Sequence, residues 1–244
     1  KGTSELVNVA REPEIVDLAV CLNAMGARIT GHGSDTIQIE GVESLGDATH
    51  RVIPDRIEAG TWAIAAAITG GDLLIEGAYQ RHLDALVDML VETGVSVDAV
   101  DDGLHVVANG RPQSVDITTD PFPGFPTDLQ AQFMAWMCVA EGSSRISETV
   151  FENRFMHVPE LARMGADIQV DGSIALVRGQ SSLTPAPVMA TDLRASVSLV
   201  LAALATDGVS KVSRIYHLDR GYSDLETKLG SCGARLERLR SGHD

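Results

Sequence analysis

Four segments of this chain close in the same way, LNAMGARIT, LVETGVSVD, LARMGADIQ and LGSCGARLE, each an amphipathic stretch running into a glycine turn. The glycines, Gly26, Gly94, Gly165 and Gly233, lie 68, 71 and 68 residues apart, which makes the chain an array of one repeated unit. A second phase mark falls between them. Asp55, Asp128 and Asp192 each open a short apolar run, in PDRIEAGTWAIAAAI, PTDLQAQFMAWMCVA and ATDLRASVSLVLAAL. Four endings against three beginnings predict that the chain starts inside a unit and that its function draws on residues outside it.

The two helices expected in each unit differ. The first is apolar nearly all round, as in Trp62, Ile64, Ala65, Ala66, Ala67 and Ile68, or Phe133, Met134, Trp136, Met137, Val139 and Ala140. A helix without a polar face must be buried on all sides. The second is amphipathic: in HLDALVDMLVETG, Leu83, Leu86, Val87, Leu90 and Val91 form an apolar stripe opposite Asp84, Asp88 and Glu92. Strand-like runs such as LLIEGA and RISETV separate the helices, and ADIQVDGSIALVRG alternates around Asp171-Gly172 like a hairpin. The unit is therefore β-α-β-α-β-β. The fold class is α/β, with three apolar helices at the centre of a domain and small sheets outside them.

On this reading residues 1–52 are the last half unit of a preceding domain plus an interdomain crossing, GVESLGDATHRVIP, and residues 53–244 are a three-unit, helix-cored domain. A preceding domain with three units of its own implies a parent of roughly 420 residues, about 175 of them upstream.

Nineteen basic against thirty-four acidic residues give a net charge of −15 with no Lys/Arg cluster, which argues against nucleic acid and anionic membranes as partners. The longest apolar stretches, such as Ser196 to Ala205, fall well short of the roughly 20 residues a bilayer span needs. The opening KGTSELVNVA lacks the apolar core of a secretory signal, and a cytoplasmic globular protein is expected. Cys21, Cys138 and Cys232 are odd in number, show no CxxC spacing and read as reduced, buried thiols.

Aspartate before a helix is a preferred N-cap, worth about 1 kcal/mol, and capping accounts for Asp55, Asp128 and Asp192 alike. Asp128 differs in the loop before it. DPFPGFPT sets three prolines and two phenylalanines around Gly124, a segment that costs little entropy to hold still. A carboxylate presented from it can accept a proton from a substrate hydroxyl. Arg194 in TDLRAS and Arg220 in YHLDRGY stand near helix starts, where amides favour anions, and suit phosphate or carboxylate; a plain Asp–Arg surface pair is the alternative for each. ETVFENRFMHVPEL gathers Glu148, Glu152, Asn153, Arg154 and His157. With no second histidine at ligand spacing, His157 reads as structural and no metal is indicated.

The runs VIPDRIEAGT, FPTDLQAQF, ETVFENRFMHVPEL, MATDLRAS and IYHLDRGY, in this order, closely resemble the UDP-N-acetylglucosamine 1-carboxyvinyltransferase family of enolpyruvyl transferases, and the resemblance covers essentially the whole chain as the C-terminal part. It implies an inside-out α/β barrel with internal helices and two domains of three units each. It also implies transfer of the enolpyruvyl group of phosphoenolpyruvate to the 3-hydroxyl of UDP-N-acetylglucosamine, with release of phosphate and no cofactor. Asp128 would contact that hydroxyl and act as its base, and the backbone of Val150 would help hold the UDP-sugar. Arg194 and Arg220 would bind the carboxylate and phosphate of phosphoenolpyruvate. Asp192 and Arg154 would be lesser members of the closed site, and Glu12 would sit near the cleft without an assigned role. The family's cysteine-bearing loop, its phosphoenolpyruvate-binding lysine and its UDP-clasping basic segments have no counterpart in these 244 residues. The chain is thus not expected to turn over unaided. Two other readings stay open: a related transferase acting on shikimate 3-phosphate, and a non-catalytic half protein that binds a nucleotide sugar or a partner chain.

Overall fold

The computed structural model describes residues 2–239. In chain order the elements are β1 (Thr3–Val7), α1 (Pro13–Ala24), β2 (Arg28–Thr30), β3 (Thr36–Glu40), α2 (Arg56–Thr69), β4 (Asp72–Glu76), α3 (Asp84–Glu92), β5 (Ser96–Val100), β6 (Gly103–Val107), β7 (Ile117–Thr118), α4 (Gln130–Met137), β8 (Ser143–Ser147), α5 (Val158–Arg163), β9 (Asp167–Asp171), β10 (Ile174–Arg178), β11 (Pro187–Met189), α6 (Ser196–Leu204), β12 (Lys211–Ser213), α7 (Tyr216–Asp219) and α8 (Leu225–Ser231).

The four repeat endings share one local structure. Gly26, Gly94, Gly165 and Gly233 have φ of +101°, +98°, +87° and +96°, the left-handed region that glycine enters without a Cβ penalty. The residue after each glycine donates its N–H back to a leucine carbonyl five positions earlier: Ala27 to Leu22, Val95 to Leu90, Ala166 to Leu161 and Ala234 to Leu229. This is a Schellman termination, and it explains why the leucine and the glycine recur together.

The sheet orders carry the same repeat. β1-β3-β2, β4-β6-β5 and β8-β10-β9 are equivalent antiparallel triplets, each a hairpin whose second strand also pairs with the strand preceding the amphipathic helix. The opening strand of the unit is shorter than the pattern implied. β7 has two residues and β11 three, both pairing in parallel with the strand after the central helix, and residues 41–55 contain none. The hairpin expected after α8 is likewise not formed among the described residues, where 234–239 are irregular.

α2, α4 and α6 pack against one another at the centre. All eight residues of α4 are buried, as are Ser196–Ala202 of α6 and ten of the fourteen residues of α2, so the absence of a polar face is satisfied by burial all round. Sheets lie outside the helices and stay separate, without closing into a continuous barrel. α3 buries Leu86, Val87 and Leu90, but Val91 is 55% exposed: at 100° per residue it sits at the far edge of the stripe. Residues 2–40 have a small core of their own around Ala19, Ile29 and Ile37. α1 meets the remainder through polar contacts, Arg56 to Glu14 at 2.9 Å and His50 to Asp17 at 2.9 Å.

Of the three cysteines only Cys138 is buried; Cys21 is half-buried, and Cys232, the C-cap residue just past α8, is exposed. No helix among the described residues is long and apolar enough to cross a membrane.

Candidate active site

The N-terminal ends of the three central helices come together at one end of the domain. Asp55 caps α2, accepting from the amides of Ile57 (2.8 Å) and Glu58 (3.1 Å) through Oδ1. Its other oxygen takes a hydrogen bond from Arg194 Nη2 at 2.9 Å, across 139 residues, at the start of α6. Arg194 also donates from Nη1 to the Gly221 carbonyl (3.2 Å), and its guanidinium carbon lies 5.4 Å from the centroid of the Tyr222 ring. Burial raises the Asp55 pKa, but the Arg194 hydrogen bond and the helix amides outweigh it and hold the carboxyl below its ordinary value. Burial pulls the Arg194 pKa down, and Asp55 more than restores it. The sequence reading treated Asp55 as a cap alone; it is both cap and anchor.

Asp192 does not cap α6 itself, whose N-cap position is Ala195; it accepts from the amides of Arg194 (2.8 Å) and Ala195 (2.7 Å) in the turn that leads into the helix. Asp128 does not cap. It lies in a short 3₁₀ turn, Thr127–Leu129, and its carboxylate faces sideways to Arg154 Nη2 at 2.5 Å. Arg154 donates its other nitrogen to Thr127 Oγ1 (2.8 Å) and stacks 5.0 Å from the Phe151 ring. Thr127 in turn donates to Glu148 Oε2 (2.8 Å). Glu148 is almost fully buried, and its second oxygen accepts from Thr119 Oγ1 and from the amides of Val150 and Phe151. With four donors satisfied, Glu148 acts as the post on which the ENRF turn and the proline-rich loop are hung. Phe125 anchors that loop by an edge-to-face contact with Phe133 at 5.4 Å, and Glu12 reaches the Phe122 amide at 3.5 Å.

Asp55 and Asp128 each leave 41% of the side chain exposed, while Arg194 and Arg154 expose 15% and 14%. The carboxylates are therefore reachable and the guanidiniums beneath them are fixed. Val150 spends its N–H on Glu148, and its carbonyl accepts no hydrogen bond among the described residues, so the carbonyl is the backbone group free for a ligand. Arg220 is exposed with no polar partner among the described residues. The surface pair with its neighbour Asp219 does not form, and Asp219 instead accepts two hydrogen bonds from Arg238, at 2.7 and 3.0 Å. The carbonyl that holds Arg194 is that of Gly221, the residue after Arg220, so the backbone carrying Arg220 passes next to the Arg194 guanidinium.

His157 is completely buried and neither ring nitrogen has a hydrogen-bond partner among the described residues. Among those residues no group of three or more His, Cys, Asp or Glu is placed to hold a metal ion. Two polar residues inside the apolar helices, Thr61 and Gln132, went unremarked in the sequence, as did Tyr222; a polar side chain in a helix with no polar face was the available signal.

A half-exposed carboxylate on a rigid loop, fixed cations beside it and clustered helix starts suit a hydroxyl nucleophile and an anionic co-substrate. The model of the EPSP synthase (3-phosphoshikimate 1-carboxyvinyltransferase) family matches residues 1–229. A UDP-N-acetylglucosamine 1-carboxyvinyltransferase of Methylocella silvestris is 63% identical over 98% of the chain, and one of Gluconacetobacter diazotrophicus is 61% identical over 98%. The chain spans only 56% and 57% of their lengths. Among solved structures, the enolpyruvyl transferase NikO from Streptomyces tendae superposes with a TM-score of 0.86 at 32% identity, over 96% of this chain and 56% of that one. EPSP synthase from Acinetobacter baumannii, at 17% identity, shares the fold with a TM-score of 0.73, over 98% of this chain and 58% of its own. Matched over nearly its whole length by that family model, the chain belongs to the EPSP synthase (3-phosphoshikimate 1-carboxyvinyltransferase) family of enolpyruvyl transferases.

Proposed function

We propose that the chain is the C-terminal part of a UDP-N-acetylglucosamine 1-carboxyvinyltransferase, a cytoplasmic enzyme that commits UDP-N-acetylglucosamine to peptidoglycan synthesis. The observation that carries the reading is the placement of half-exposed Asp128 beside the largely buried Arg154, at the same end of the domain as Arg194. Relatives of about 60% identity that bear this activity in their names favour the sugar nucleotide over shikimate 3-phosphate. Residues 1–52 belong on this reading to an upstream domain, whose unit pattern β1-β3-β2 repeats, and residues 53–244 form the second domain.

In the reaction the sugar 3-hydroxyl oxygen bonds to C2 of phosphoenolpyruvate while a proton is added at C3. The tetrahedral adduct then loses a proton from C3 and expels phosphate, which restores the double bond. Asp128 accepts the hydroxyl proton, with Arg154 keeping its carboxylate aimed. Arg194 and Arg220 take the anionic groups of phosphoenolpyruvate, and Asp192 holds the Arg194 backbone. The Val150 carbonyl receives a donor from the UDP-sugar. Holding both substrates in register between two domains makes the addition effectively unimolecular.

Replacing Asp128 by Asn in the complete protein keeps the shape and removes the proton acceptor. Turnover is expected to fall by about 10²–10⁴-fold with an unchanged circular dichroism spectrum. Turnover near the parent rate would return Asp128 to a structural role. Displacement of bound ligand by shikimate 3-phosphate but not by UDP-N-acetylglucosamine would transfer the chain to the other substrate.

A further inference from the structure

Three of the few polar side chains at the centre of the domain meet between the helices. Thr61 on α2 and Gln132 on α4 are buried, and Tyr222, two residues past Arg220, exposes 1% of its surface. Their hydrogen bonds have a fixed direction. Thr61 Oγ1 spends its single proton on the Ile57 carbonyl at 2.8 Å, so in the 3.0 Å contact with Tyr222 the phenol must be the donor. Gln132 Nε2 gives one proton to the Asp128 carbonyl at 2.9 Å and shares the other between Tyr222 Oη (3.3 Å) and Thr61 Oγ1 (3.2 Å). The phenol is thereby held from two sides while the ring faces the Arg194 guanidinium at 5.4 Å.

We propose that Tyr222 is a positioning residue: its ring sets the plane of the Arg194 guanidinium for the anionic groups of phosphoenolpyruvate, and its hydroxyl ties that plane through Gln132 to the backbone of Asp128. This rests on the reading of Asp128 and Arg194 as substrate-binding residues. Asp55 and the Gly221 carbonyl each fix one nitrogen of Arg194, and the guanidinium carbon lies over the Tyr222 ring, a third contact that the two hydrogen bonds do not supply. Tyr222 is not a catalytic residue. It is buried, its proton is committed to Thr61, and burial raises the phenol pKa further, so it neither reaches substrate nor exchanges protons with it.

The test uses the complete protein with Tyr222→Phe and Tyr222→Leu, measuring KM for each substrate and the affinity for inorganic phosphate by calorimetry. Loss of a partly desolvated cation–π contact predicts about a tenfold rise in KM for phosphoenolpyruvate and a matching loss of phosphate affinity in the leucine variant. KM for UDP-N-acetylglucosamine is expected to stay unchanged, and Tyr222→Phe, which keeps the ring, to move both phosphoenolpyruvate readouts far less. In an Arg194→Ala background Tyr222→Leu should add no further loss, because its effect passes through Arg194. Equal losses with and without Arg194, a phenylalanine variant as impaired as the leucine one, or a joint rise in both KM values would overturn the proposal. Should the leucine variant not fold, Tyr222→Met carries the same comparison. A wild-type protein that binds neither phosphate nor phosphoenolpyruvate would sink the functional reading and this proposal with it; one that binds both with the leucine variant unaltered sinks this proposal alone.

Discussion

Replacing His157 by Leu should abolish most of one proton's worth of acid sensitivity in this fold. The imidazole is fully buried at the start of α5, with Phe155 6.5 Å away and both nitrogens unbonded among the described residues. Burial lowers its pKa from 6.5 to about 4; Asp192 pushes the other way and Arg154 adds to the lowering. Between these values the unfolded chain holds a proton that the folded one refuses, so stability rises with pH there. The contribution is whole above the unfolded pKa, is lost as pH falls toward 4, and is constant below it. The interval of 2.5 units between 6.5 and about 4 corresponds to about 3 kcal/mol. Urea unfolding of the complete protein and of His157→Leu, followed by the fluorescence of buried Trp136, gives the difference curve. Above about pH 7.5 the difference should be level, and between pH 6 and 4.5 the wild type should lose ground at about 1.2 kcal/mol per pH unit. At neutral pH the leucine variant should be no less stable, since leucine leaves no polar atom unpaired. A difference curve level from pH 8 to 4 would show that His157 titrates alike in both states. A slope of opposite sign would show an imidazolium held by Asp192, and either result refutes the argument.

Two further changes probe the helical centre and the thiols. Gly60 lets α2 approach its neighbours: a Cβ there would lie 2.6 Å from Leu129 Cδ1 and 3.0 Å from Leu86 Cδ2. Gly60→Ala gains about 1 kcal/mol in helix propensity and loses about 1–3 kcal/mol to overpacking, so a net loss of about 1 kcal/mol in urea unfolding is expected, and a stabilised variant would contradict the packing. Burial pushes the Cys138 thiol up to about 12, whereas Cys232 is exposed. An alkylating reagent followed by peptide mass mapping should label Cys232 in the folded protein and Cys138 only after denaturation; early labelling of Cys138 would mean that the centre opens.

Much of the fold could be read from spacing because its determinants are local. A leucine and a glycine four residues apart specify the end of a helix through bonds that never leave the turn, and four such ends counted the units. Helices without a polar face specified three buried rods, since no other environment accepts them. Where the local signal was thin the pattern overreached. Val91 lies at the edge of a stripe, the strands before α4 and α6 are only two or three residues long, and the third unit does not form its hairpin in the described residues.

The repeats and the residue types of the site, the aspartate at each helix start with Arg194 and Arg220, followed from the sequence by itself. Which group each one holds did not. Three aspartates in equivalent positions have three fates: Asp55 anchors Arg194, Asp192 holds the turn that leads into α6, and Asp128 turns from capping to Arg154. Arg220 stands free among the described residues while Arg238, 19 residues from Asp219, takes that carboxylate. Tyr222, Thr61 and Gln132 meet although as many as 161 residues separate them. Capping and helix termination act within a few residues and leave a periodic trace, whereas these partnerships depend on which ends of packed helices coincide, a distance of a few ångströms that only the assembled tertiary structure sets.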